Sequence, residues 1–220
     1  MTAEADALVA AVERLFAAGV MSHSGHGNLS TRLPEERMLL TATGVLGGIS
    51  TGDFATVGLD GTEYDGNLQP GSREIMGMHA VVYRERPEVG AVIHTHSPAV
   101  TAFAVAGRAL PCRYEGLLRF GQATDVPVVP WAPRGSPESV AGIASALQTA
   151  PDTSAVLLGN HGLLAFGPGP AAAADLVITL EEGAEAEWRA ATLGGSSPLP
   201  PDALEAVLRS ISAAATRRQP

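Results

Sequence analysis

Gly90-Ala91-Val92-Ile93-His94-Thr95-His96-Ser97-Pro98 runs from an apolar strand into a polar corner. Side chains alternate faces along a strand, so His94 and His96 share one side. Two imidazoles on one face of a rigid strand form a ready pair of metal ligands. Ser97 is placed to cap a helix, with Pro98 at its first position, where a missing N–H costs nothing. By itself an H-x-H pair is equally compatible with an exposed strand face that holds nothing. A second apolar strand, Ala155-Val156-Leu157-Leu158-Gly159, ends in Asn160-His161-Gly162. Three histidines at the ends of buried strands suit a three-imidazole site with an open coordination position.

Outward from this segment, helices and strands interleave. Residues 4–18 have Leu8, Val12, Leu15 and Phe16 at helical spacing, and Gly19 ends that helix. Leu29–Leu33 and Met38–Thr43 read as short strands across the polar turn Pro34-Glu35-Glu36-Arg37. Phe54–Leu59 is a third strand, and Asp60-Gly61 after it is a hairpin signal. Pro70-Gly71-Ser72-Arg73-Glu74 opens a helix to about Arg86, with Ser72 as its expected cap. The stretch 110–130 reads as irregular strands broken by Pro111, Pro127 and Pro130. Ser136-Pro137-Glu138 starts another helix, and a long one over 171–192 has Leu176, Leu180, Ala184 and Trp188 on one stripe. A last helix follows Asp202, and Arg217–Pro220 is expected to fray. The hairpin signals imply antiparallel pairing. The expected fold is a three-layer α/β/α arrangement around a central, mostly antiparallel sheet.

Composition narrows the partners. The 220 residues are 45% hydrophobic and contain no linker-like stretch, so a single domain over 1–220 is expected. A net charge of −9 with 14 scattered Lys and Arg argues against nucleic acid. One cysteine, Cys112, excludes an internal disulfide and fits a reducing compartment. Met1-Thr2-Ala3-Glu4-Ala5-Asp6 carries acid where a signal peptide carries base, and no apolar run reaches the length of a membrane span. A cytoplasmic protein with a small-molecule substrate and no membrane partner is expected.

Several further groups bear chemistry. Glu74, at a helix start, is either a fourth ligand, a base, or an acid that complements the helix macrodipole. The Gly-, Ser- and Thr-rich loops around Asn28, Thr43-Gly44 and Ser72 suit an anion, phosphate above all, although such loops also serve as plain turns. Tyr114 is either a proton donor or a core aromatic with a hydrogen-bonded hydroxyl.

The ordered set Gly27-Asn28-Leu29-Ser30, Thr41-Ala42-Thr43-Gly44, Ser72-Arg73-Glu74, His94-Thr95-His96 and Asn160-His161-Gly162 resembles the class II aldolase/adducin family from about residue 5 to 190. In pattern it is most similar to the L-fuculose-phosphate aldolases. The resemblance implies that His94, His96 and His161 bind a divalent metal, usually Zn2+, with Mn2+, Co2+ or Fe2+ as alternatives. It implies that Glu74 is the acid/base and that Asn28, Thr43, Gly44 and Ser72 cradle a phosphate. Tyr114 would reach a neighbouring subunit's site in a cyclic homotetramer. The cytoskeletal adducin branch lacks the metal histidines and is disfavoured. The chain departs from the pattern in three places. The usual Ser-Ser pair is Ser72-Arg73, whose guanidinium would grip a phosphate or a carboxylate. The interval from Glu74 to His79 and His94 is one residue longer, about a hundred degrees of helix. The tail from Ala213 has no tyrosine.

The implied activity is reversible aldol cleavage of a ketose phosphate, such as L-fuculose 1-phosphate, into dihydroxyacetone phosphate and an aldehyde, through a metal-stabilised enediolate. Loss of carbon dioxide yields the same enediolate, so a metal-dependent decarboxylase of a keto or hydroxy acid is the alternative, with Arg73 favouring it. A metal-bound oligomer without turnover and an iron-dependent oxygenase are further readings.

Overall fold

A computed structural model describes residues 2–216. The expected fraying of Arg217–Pro220 lies outside the described residues. The chain forms α1 (Thr2–Ala17), β1 (Gly27–Leu33), β2 (Arg37–Thr41), β3 (Phe54–Gly58), β4 (Glu63–Asp65), α2 (Pro70–Arg73), α3 (Met76–Glu85), β5 (Ala91–Thr95) and α4 (Pro98–Val105). Then follow α5 (Glu115–Arg119), β6 (Val128–Val129), α6 (Pro137–Thr149), β7 (Ala155–Leu158), β8 (Gly162–Gly167), α7 (Pro170–Thr192) and α8 (Ala203–Thr216). The strands make one sheet in the order β4-β3-β2-β1-β5-β8-β7-β6. Every pairing is antiparallel except β6 with β7. This is the three-layer α/β/α fold expected from the sequence.

The strands are apolar on both faces because both faces are covered. Ile93, Leu157, Leu163 and Ala165 join a core with α1, α4, α5, α7 and α8. Their neighbours Val92, Val156, Leu164 and Phe166 join a second core with α3 and α6. By the same alternation His94 shares the face of Val92. No helix of the described residues is long and apolar enough to cross a membrane.

Four local expectations are corrected. The helix expected from Pro70 to about Arg86 is broken into α2 and α3, with Glu74 and Ile75 between them. Ser72 is not its cap: Gln69 holds that position, with Pro70 at the first turn. The 110–130 stretch contains the short helix α5 and only the two-residue strand β6. Ser97 sits at the cap of α4 but turns its hydroxyl to Thr95 Oγ1, 2.8 Å away. The cap comes instead from Glu181 of α7, whose carboxylate oxygens accept from the Ala99 and Val100 N–H groups at 2.7 and 2.9 Å. Burial pushes that carboxyl's pKa upward, against the lowering effect of the two N–H donors.

Gly162 sets the approach of β8 to β5. A β-carbon there would stand 2.5 Å from the Thr95 carbonyl oxygen and 2.9 Å from His96 Cδ2. Gly162→Ala is expected to lower stability by about 1–3 kcal/mol, the usual cost of overpacking. At ~2–4 °C per kcal/mol for a chain of this size, a melting curve should shift down by roughly 2–12 °C. An unchanged melting temperature would show that the two strands part without strain.

Candidate active site

Three elements deliver the histidines to one point. His94 is the penultimate residue of β5, His96 follows that strand directly, and His161 lies in the turn between β7 and β8. Asn160 takes a left-handed φ of 56° in that turn, a conformation asparagine tolerates better than most residues. One ligand atom from each histidine falls within 4.8 Å of the others. His94 is buried and donates from Nδ1 to the Leu163 carbonyl at 2.7 Å. Its Nε2 is therefore the bare nitrogen, and it stands 3.1 Å from His96 Nε2. Tetrahedral nitrogen ligands about 2.0–2.1 Å from a zinc ion are roughly 3.3 Å apart, so the spacing of His94 and His96 fits a metal.

Electrostatics keep the three rings neutral. Burial pushes the His94 pKa well below its ordinary value, and the other two histidines add to the effect. Burial also lowers His96, helped by His26 and Arg134. His161 falls to about 4 through burial, then the charges of His96 and Arg134. Neutral imidazole is the form that binds metal.

The histidines open into a cleft of about 300 Å³ that Asn28, Thr43, Gly44 and Ser72 also line. Asn28 faces His94 across the β1–β5 ladder, and its Oδ1 lies 2.6 Å from His79 Nε2. His79 is fully buried, and desolvation lowers its pKa to about 3, so the ring is neutral and has one N–H. That proton sits on Nε2 and is donated to Asn28. Nδ1 then accepts from the Ser30 hydroxyl at 2.8 Å, and Ser30 Oγ accepts from Tyr83 at 2.8 Å. With Oδ1 occupied, the amide N–H groups of Asn28 remain for the cleft.

Not every residue singled out in the sequence reaches this cleft. Ile75, in the break between α2 and α3, is buried in the core and borders the cleft beside Ser72. Glu74 instead lines a small adjoining pocket with His161 and Trp131, and its Oε2 accepts from Arg134 at 2.8 Å. Arg73 turns outward and grips Glu63 with both arms of its guanidinium, at 2.6 and 3.0 Å. Tyr114 precedes α5, is partly exposed, and donates to Glu182 at 3.3 Å. The Glu182 charge raises its pKa. Arg134 and His26 line the cleft although the sequence reading passed over both. Arg134 lies in a proline-rich run that reads only as loop. His26, two residues before Asn28 in the Gly27-Asn28 motif, was legible as a neighbour of the cradle.

Comparison with known proteins finds relatives over most of the chain. The family model described as Class II Aldolase and Adducin N-terminal domain matches residues 6–188. The chain is 32% identical over 183 residues to the 5-methylthioribulose-1-phosphate/5-deoxyribulose-1-phosphate aldolase of Rhodospirillum rubrum, covering 83% of this chain and 79% of that protein. It is 32% identical over 170 residues to the 3-oxo-tetronate 4-phosphate decarboxylase of Haemophilus influenzae, covering 73% and 76% of the two chains. A solved structure of an L-fuculose 1-phosphate aldolase superposes with a TM-score of 0.84 at 25% identity, over 96% of this chain and 97% of that one.

The buried His79 gives a pH-dependent test. Its folded pKa of about 3 lies below the unfolded value of 6.5, so the unfolded chain binds the extra proton between those limits. The stability His79 contributes is therefore complete above pH 6.5 and drains away as pH falls toward 3. His79→Gln should melt lower than the wild type at pH 7, and the gap should narrow by roughly 3 kcal/mol by pH 4. Thermal melts of metal-free protein at both pH values measure it. A gap that stays constant would mean that His79 already titrates in the folded state.

Proposed function

The chain belongs to the class II aldolase/adducin family, and within that family of enzymes we propose that it is a divalent-metal-dependent lyase acting on a ketose 1-phosphate. The reaction is reversible aldol cleavage to dihydroxyacetone phosphate and an aldehyde. The observation that carries this reading is the convergence of three neutral imidazoles in a cleft that also presents Asn28, Thr43, Gly44 and Ser72. The name of the Rhodospirillum relative makes 5-deoxyribulose 1-phosphate the first substrate to try, beside L-fuculose 1-phosphate.

His94, His96 and His161, each through one ring nitrogen, would hold the cation, Zn2+ or another of Mn2+, Co2+ and Fe2+. When bound, that cation supplies the positive charge that stabilises an enediolate. The Asn28 amide and the Thr43 and Ser72 hydroxyls donate to the phosphate, with the Gly44 backbone beside them. Glu74 moves the proton on and off the carbon next to the carbonyl, and must leave Arg134 to do so. Tyr114 serves the aldehyde oxygen of a neighbouring copy, since in its own chain it faces Glu182. That role requires an oligomer with sites between subunits, here a homotetramer, each chain acting as one domain in the cytoplasm.

A second reading, decarboxylation of a keto acid phosphate, is favoured by the pairing of Glu74 with Arg134. Glu74 lies in the adjoining pocket rather than in the histidine cleft, with its carboxylate held by Arg134. Loss of carbon dioxide leaves the electron pair of an enediolate without any base removing a proton, so it depends less on Glu74.

Metal analysis and assays on both substrate classes test the proposal. His96→Ala should lose most of the bound metal and its turnover. Glu74→Gln should keep its metal, lose roughly a hundred-fold or more in turnover, and cease to exchange the α-proton of dihydroxyacetone phosphate with solvent. Exchange at the wild-type rate would assign the base elsewhere. Carbon dioxide release from a 3-oxo acid phosphate, with no cleavage of either ketose, would make the enzyme a decarboxylase.

A further inference from the structure

Arg134 enters the chemistry above only as the partner of Glu74, yet its position is fixed by the fold. Residues Pro133 to Ser136 form a turn closed by the Ser136 N–H on the Pro133 carbonyl at 3.0 Å. Gly135 takes a φ of +77°, and a β-carbon on it would stand 2.8 Å from the Glu74 carbonyl oxygen. The turn therefore lies directly on the break between α2 and α3, and only glycine satisfies both its dihedral and its contact. Ser136 then caps α6, accepting from the Ser139 N–H at 3.1 Å. Arg134 is thus held at the tip of a turn anchored at both ends.

From there its guanidinium spans the mouth of the site. Arg134 lines both the histidine cleft and the smaller pocket that holds Glu74. Its Nη2 lies 3.7 Å from where a β-carbon on Gly71 would be, next to Ser72. Its charge acts on His96 and His161. Among the described residues lining the cleft it is the sole lysine or arginine. Its Nε donates to one oxygen of Glu74, and Nη2 lies 2.8 Å from the same oxygen, which leaves at least three of the five guanidinium N–H groups for another acceptor. The pair is half exposed, and exposed ion pairs are weak.

We propose that Arg134 is a specificity-determining residue that takes an oxyanion of the substrate, phosphate or carboxylate, by exchanging Glu74 for it. The inference rests on the reading of the histidine cleft as a substrate site. A planar fork suits either oxyanion, and the exchange frees the Glu74 carboxylate as the ligand arrives.

Calorimetric titration of inorganic phosphate, glycolate and 2-phosphoglycolate tests it, on zinc-loaded and on metal-free protein. Arg134→Ala should weaken 2-phosphoglycolate tenfold or more, and Arg134→Lys less, with thermal melts confirming that both variants fold. Glu74→Gln, by removing the competing carboxylate, should tighten the same ligand several-fold, a gain that vanishes in the Arg134→Ala background. A role that is only structural would produce no such tightening. If inorganic phosphate weakens in parallel in Arg134→Ala, the phosphate is the group held. If only glycolate and 2-phosphoglycolate weaken, it is the carboxylate. Wild-type affinity for all three probes in Arg134→Ala would overturn the role of Arg134 and leave the cleft intact. Failure of the wild type to bind any probe, while it still binds zinc, would overturn the anion site and this inference with it.

Discussion

The hydrogen bond from His94 Nδ1 to the Leu163 carbonyl, 2.7 Å long, joins two neighbouring strands and decides which nitrogen of His94 is bare. A metal-binding imidazole needs its second nitrogen committed elsewhere, or the ring turns and the tautomer is undefined. Here the commitment is made to the adjacent strand, in a ladder that pairs His94 with Leu164. A slip of one residue would carry His94 to the opposite face, into the core under α4 and α7. The two apolar cores prevent that slip, because every strand residue from Ala91 to Ile93 is buried on its own side. Packing of the sheet and chemistry of the site are thus one constraint.

A second consequence of sheet order is the buried polar chain Tyr83–Ser30–His79–Asn28. Polar groups so far from water are costly unless every donor meets an acceptor. Each link here has a partner, and the neutral histidine fits only with its proton on the side of Asn28. Burial raises the Tyr83 hydroxyl's pKa, so it remains a donor at the far end of the chain. An apolar core at this place would pack as well, but it would leave the Asn28 amide free to turn over. The polar chain is therefore better understood as orientation of a cleft residue than as a source of stability.

The sequence made legible whatever repeats along one strand or helix. The interleaving of helical spacing with short strands pointed to the layer arrangement, and the polar ends of the apolar runs in β5 and β7 to the meeting of the histidines, since strand ends are where a sheet delivers side chains together. It did not make legible what depends on contacts between distant segments. Glu181 caps α4 from about eighty positions away, and no local pattern announces it. The longer interval between Glu74 and His79 was visible as a number. That the helix would break at Glu74, with its carboxylate held by Arg134, depends on the Gly135 turn lying against it. The grip of Arg73 on Glu63 was likewise hidden, because β4 is too short and too exposed to read as a strand.

The ends of the sheet bear on how copies of the chain meet. A row of eight strands has two open edges, and open edges invite further strands. One edge here is β4, three exposed residues of which Glu63 and Asp65 are acidic. The other is β6, two residues set between Pro127 and Pro130, neither of which has an N–H to donate. Neither edge gives a second chain the length or the donors to extend the ladder. Self-assembly by continuous β-pairing, the route to insoluble aggregates, is blocked at both ends. Any ordered contact between copies must then be made by side chains on helices and loops, which can be complementary and finite in number.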